Sequence, residues 1–132
     1  MLSEQEQWTK FYDKDLPNGL EFELLFGDAW SACKLEFKRD KKAYRSGNVF
    51  IEYKSRGQPS GLATTQADLW IIGLDNGAGK VETGVLASVR WLKTKCRPYL
   101  GTGRDVLGGD NQLSQGILLP LDEFMFRLDE ST

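Results

Sequence analysis

The chain of 132 residues contains no histidine. That absence excludes a Ser-His-Asp triad, a Cys-His dyad, a His-Glu-x-x-His zinc site and any nuclease with a histidine base. Catalysis would have to run on carboxylates, Lys, Arg, Tyr, thiols or a metal, and oxygen-only ligands favour Mg²⁺ or Mn²⁺ over zinc. Cysteine is scarce: Cys33 and Cys96 stand far apart without His or Cys neighbours. They cannot form a zinc ligand set, and both read as buried thiols rather than a disulfide. No apolar run approaches the roughly 20 residues that span a bilayer. Residues 1–7 are polar and acidic, unlike a signal peptide. A cytoplasmic setting is expected, with no membrane partner.

What is present fits one compact domain over residues 1–132. The formal net charge is −2, but it is unevenly spread. Residues 1–28 hold seven acids against Lys10 and Lys14. Residues 34–56 hold eight bases against Glu36, Asp40 and Glu52, and residues 90–104 carry five bases and no acid. A polyanion responds to such local patches rather than to the sum.

The periodicity predicts a mixed α/β order. Residues 3–12 read as a helix opened by a Ser3-x-x-Glu6 capping box, and Pro17-Asn18-Gly19 as a turn. Residues 20–26 lean to helix. Residues 33–39 read as a strand, with 49–55 as its hairpin partner across a basic connection. Thr65-x-x-Asp68 resembles a capping box opening a short helix. Residues 69–74 suit a buried strand, and 75–79 a turn. Helical spacing covers 85–95, a Gly-rich loop 101–116, and a last strand 116–121, placed at an edge because of Pro120. Trp30, Trp70 and Trp91 read as core.

The chemistry-bearing stretch is Asp28 followed by Glu36-Phe-Lys38 and then Gly47-Asn-Val-Phe-Ile-Glu52. Strand alternation puts Glu36 and Lys38 on one face. Acids and an ammonium on one edge of a sheet suit a hard divalent ion and an activated water. A Glu-x-Lys unit is weak alone, since Asp40-x-Lys42 and Glu52-x-Lys54 also occur. The plain alternative for each is an exposed ion pair.

In its context the stretch resembles the PD-(D/E)xK metallonuclease superfamily. The runs Leu35-Glu-Phe-Lys-Arg-Asp, Gly47-Asn-Val-Phe-Ile-Glu-Tyr and Pro59-Ser-Gly-Leu-Ala-Thr-Thr-Gln-Ala-Asp-Leu-Trp are similar to small phage-type members, most of all Holliday-junction resolvases. The resemblance spans residues 28–72. It implies a restriction-endonuclease-like α/β domain with a mixed central sheet flanked by helices, and, for a phage protein, the cytoplasm of a bacterial host. It further implies that Asp28, Glu36 and the Phe37 carbonyl hold Mg²⁺ or Mn²⁺, while Lys38 orients the attacking water and stabilises charge on the phosphate. Glu23, four residues after Gly19, matches a catalytic helix acid of resolvases, with Glu21 as the competing choice. Glu52 would be a supporting acid or the ligand of a second metal.

Two departures stand out. No Pro precedes Asp28, and the interval from Asp28 to Glu36 is short. The register Asp40, Glu52, Lys54 has a more usual interval and competes, although chain order favours Asp28, Glu36, Lys38. Arg39, Lys41, Lys42 and Arg45 are candidates to grip flanking DNA, and Thr65 to meet a phosphate at a helix N-terminus. The expected substrate is a four-way DNA junction, whose two-fold symmetry calls for a homodimer. A restriction-like nuclease or recombination exonuclease of the same fold, and a non-catalytic nucleic-acid-binding module, are the alternatives.

Overall fold

The computed structural model describes residues 33–125. The chain divides into two compact units, residues 1–33 and 34–132, and the described residues from 34 on belong to the second. That unit is a mixed α/β structure with two sheets. Its elements are β1 (Leu35–Asp40), the one-turn helix α1 (Ala43–Ser46), β2 (Asn48–Ser55), β3 (Gln58–Pro59), β4 (Leu69–Asp75), β5 (Val81–Ser88), α2 (Val89–Cys96), β6 (Asp105–Gly108) and β7 (Ser114–Pro120). One sheet has the order β1-β4-β5 and the other β3-β2-β7-β6. The α/β class is therefore as expected, but the strands divide between two sheets instead of filling one central sheet.

Strands β1 and β2 are not hairpin partners, contrary to the sequence reading. β1 runs parallel to β4, with Glu36 opposite Trp70 and Lys38 opposite Ile72. β2 runs antiparallel to β7, with Ile51 opposite Ile117. The basic connection between them is closed by Asp40. Its Oδ1 accepts from Lys42 N at 2.9 Å and Ala43 N at 2.7 Å, and its Oδ2 accepts from Phe50 N at 2.9 Å. One carboxylate thus caps the end of β1, starts α1 and hands the chain to β2.

The alternating apolar positions of the strands meet in one core. Val49 and Ile51 of β2, Trp70 and Ile72 of β4, Ile117 and Leu119 of β7, and Leu92 of α2 are all buried in it. Each such side chain contributes about 1.5–3 kcal/mol by leaving water. α2 presents Val89, Leu92 and Cys96 to this core at helical spacing. Burial pushes the Cys96 thiol up to about 12, which leaves it inert as a nucleophile. Cys33 is a free, half-buried thiol.

Four further expectations change. Residues 85–88 belong to β5, because Val85 and Leu86 pair with Ile72 and Ile71 of β4. The helix starts only after Ser88, whose Oγ accepts from Trp91 N at 3.0 Å. The Gly-rich loop contains β6, held by its pairing with β7 and turned at Gly109, Asn111 and Gln112, all at positive φ. β7 is an interior strand between β2 and β6, and Pro120 is tolerated because it is the last residue of the strand. Lastly, Thr65 opens no helix. The segment passes through a single 3₁₀ turn at Gly61–Ala63 and then into β4.

Candidate active site

The face of β1 that carries Glu36, Lys38 and Asp40 is also the face on which β4 places Trp70 and Ile72. Glu36 and Lys38 lie side by side, with Nζ 3.4 Å from Oε1. Both side chains are more than a third exposed, so this ion pair adds at most about 1 kcal/mol to the fold. Lys38 Nζ also stands 4.9 Å from the centre of the Trp70 ring, within reach of its electron-rich face.

The loop from Pro59 to Ala67 ties two acids from different sheets together. At its start, Ser60 Oγ donates to Glu52 Oε2 at 3.0 Å, and Ser60 N to the Tyr53 carbonyl at 3.0 Å. At its end, Thr65 Oγ1 donates to Glu36 Oε2 at 2.9 Å. Between them Gly61, at φ +51, lies against β2: a Cβ there would stand 2.3 Å from the Glu52 carbonyl oxygen. The hollows beside Glu36 and beside Glu52 share Lys38 and Gly61 in their linings. The sequence reading placed Trp70 in the core, where it lies, and singled out Ser60 for no role. A signal for Ser60 was there in the Pro-Ser-Gly run, which is more specific than Glu-x-Lys.

The competing register looks different in geometry. All the contacts of Asp40 given above are to backbone N–H groups. A register shift falls between Glu52 and Lys54, which breaks the alternation that would put the two on one face. Comparison of the chain with protein-family models, curated proteins and solved structures finds no match.

Glu23, its competitor Glu21, and Asp28 lie outside the described residues. Among the described residues no three His, Cys, Asp or Glu gather to hold a metal ion. The donors present are nonetheless hard oxygens. A carboxylate offers about four lone-pair positions, and the Thr65 and Lys38 contacts leave Glu36 with acceptor capacity. The Lys34 carbonyl accepts from Asp68 N and Leu69 N on the β4 side. Alternation then directs the Phe37 carbonyl to the side of β1 away from β4, which no other strand covers among the described residues. Glu36 and the Phe37 carbonyl thus suit Mg²⁺ or Mn²⁺ by donor type.

The basic residues separate. Lys41, Lys42 and Arg45 are exposed on the turn and on α1. Arg39 projects from the opposite face of β1, where its guanidinium is engaged by Asp75 at the end of β4. Thr65 commits its hydroxyl to Glu36, and no helix N-terminus stands behind it, so its expected phosphate contact loses its basis.

Asp75 is buried, and the Arg39 guanidinium, with Gly77 N donating at 2.8 Å, holds its carboxyl below the ordinary range. A lowered folded value stabilises the protein at neutral pH. That contribution disappears as pH falls from the unfolded value through the folded one. In urea titrations, Asp75→Asn should lower the midpoint at pH 7, and the gap to wild type should close as the pH is lowered.

Proposed function

We propose that the chain is a metal-dependent, structure-selective DNA endonuclease of the PD-(D/E)xK kind, with four-way junctions as its substrate. The observation that carries the reading is the placement of Glu36 and Lys38 within 3.4 Å on one half-exposed face of β1, beside a loop that also holds Glu52. Few purely structural needs explain this arrangement, since a half-exposed pair contributes little stability.

In this reading Glu36 and the Phe37 carbonyl would hold Mg²⁺ or Mn²⁺, which would supply Lewis acidity toward a phosphate oxygen and a more acidic water. Lys38 sits beside that position and donates to the water or to the phosphate as negative charge grows on it. Thr65 and Ser60 fix the two carboxylates, so the site needs little rearrangement when DNA arrives. Lys41, Lys42 and Arg45 offer charge to the flanking backbone and would set register without reading sequence.

A substrate panel tests the proposal. The protein is incubated with a four-way junction, a flap, linear duplex and single strand, in Mg²⁺, Mn²⁺ or EDTA. Paired, symmetric nicks in the junction that vanish with EDTA are expected. Cutting of every substrate would point to a general nuclease of the same fold, and tight binding without any cutting to a non-catalytic module.

A further inference from the structure

We propose that Trp70 is the positioning residue of this site, setting Glu36 with the edge of its ring and Lys38 with the face. As a statement about catalysis this rests on the nuclease reading; as a statement about geometry it does not.

Trp70 lies on β4 directly opposite Glu36 and is 3 % exposed, so its ring is fixed by the core. Its Nε1–H donates to Thr65 Oγ1 at 3.2 Å, and Ala67 N donates to the same oxygen at 3.2 Å. A hydroxyl oxygen has two lone pairs and one proton. Both lone pairs are taken, so the proton is left to point one way, toward Glu36 Oε2 at 2.9 Å. Thr65 becomes a one-directional donor, and the buried indole orients an exposed carboxylate through it. The same ring offers its face to Lys38, whose ammonium lies 4.9 Å from the centroid. Carboxylate and ammonium are therefore placed by one buried side chain.

A double-mutant cycle tests this. Trp70→Phe keeps an aromatic face for Lys38 and removes the indole N–H; Thr65→Val removes the relay hydroxyl. Each should lower kcat about tenfold with KM little changed, the loss of one hydrogen bond's worth of orientation. The double variant should be no slower than either single, because both break one relay. Thr65→Ser should restore the wild-type rate. Additive losses, or full kcat in folded Trp70→Phe, would overturn the proposal, since a merely structural Trp70 costs stability independently of Thr65.

The second readout needs no activity. The indole ¹H–¹⁵N resonance of Trp70 should shift in Thr65→Val and, through the hydroxyl, in Glu36→Gln. An unmoved resonance would overturn the proposal even for an active enzyme. A moved resonance in a wild type that cuts no DNA would keep the relay and discard the nuclease reading. Should Trp70→Phe fail to fold, the Thr65 pair and the resonance still decide the matter.

Discussion

Glu36→Gln and Lys38→Ala should each slow cleavage by about 10²-fold or more while leaving the protein folded and bound to DNA. In the proposed site Glu36 is the acid whose charge a metal would need, and an amide keeps its shape but not that charge. Several kcal/mol of transition-state stabilisation should vanish, a fall of roughly 10³-fold or more. Removing Lys38 takes away a preorganised donor to growing phosphate charge, with an expected loss of about 10²–10³. Neither change should cost more than about 1 kcal/mol of stability, because the pair is half exposed. Single-turnover cleavage gives the rates, and anisotropy of a labelled junction in EDTA gives the binding. Loss of binding in step with loss of cleavage would mean that the two residues hold DNA rather than cut it.

Gly61→Ala should be the most damaging small substitution in the loop. Its backbone is in the left-handed region, and the added Cβ meets main chain rather than a flexible side chain: the Glu52 carbonyl oxygen at 2.3 Å and its carbon at 2.9 Å. The loop would have to lift off β2, taking Ser60 from Glu52 and slackening Thr65 against Glu36. Backbone strain and overpacking together should cost roughly 3 kcal/mol. For a domain of this size that is a fall in Tm of about 10–20 °C. Gly57→Ala is the control. Gly57 is also left-handed, at φ +79, but nothing lies within 4 Å of its Cβ position, so only the conformational penalty of about 1 kcal/mol applies. Equal melting temperatures for the two variants would show that the close approach at Glu52 does not matter.

How much of this was legible in sequence depends on whether the cause is local. β2 and β4 stood out because Val49 and Ile51, and Trp70 and Ile72, mark buried faces within short runs. The turn at 75–79 was legible because Asp75 and Asn76 fold back onto nearby backbone N–H groups. Strand pairing was not. Gly47-Asn48 suggested a hairpin, yet Gly47 closes α1 with its N–H on the Ala43 carbonyl, and β1 finds β4 far along the chain. A parallel pair leaves no mark at its connection of the kind a hairpin turn does. Val85 and Leu86 carry a spacing that suits either period, and pairing with β4 decides for strand.

At the site, Glu36 and Lys38 were legible because alternation alone puts them on one face. The same rule sends Arg39 to the other face, where Asp75 takes it. Thr65 misled because Thr-x-x-Asp serves loops as well as helix caps. Its actual partner, Glu36, is 29 residues away, a contact no local pattern announces. Asp40 was read as a rival ligand, and only the fold shows its oxygens meeting three backbone N–H groups.

The central claim is that Glu36 and Lys38, under their loop, form the cutting site. The most direct measurement compares junction cleavage in Mg²⁺ and Mn²⁺ by wild type, Glu36→Gln and the paired Glu52→Gln/Lys54→Ala variant, with folding and binding checked for each. The account predicts EDTA-sensitive nicking by wild type, none by Glu36→Gln, and residual nicking by the paired variant. A folded wild type that cuts no DNA, or an active Glu36→Gln beside a dead paired variant, would contradict it.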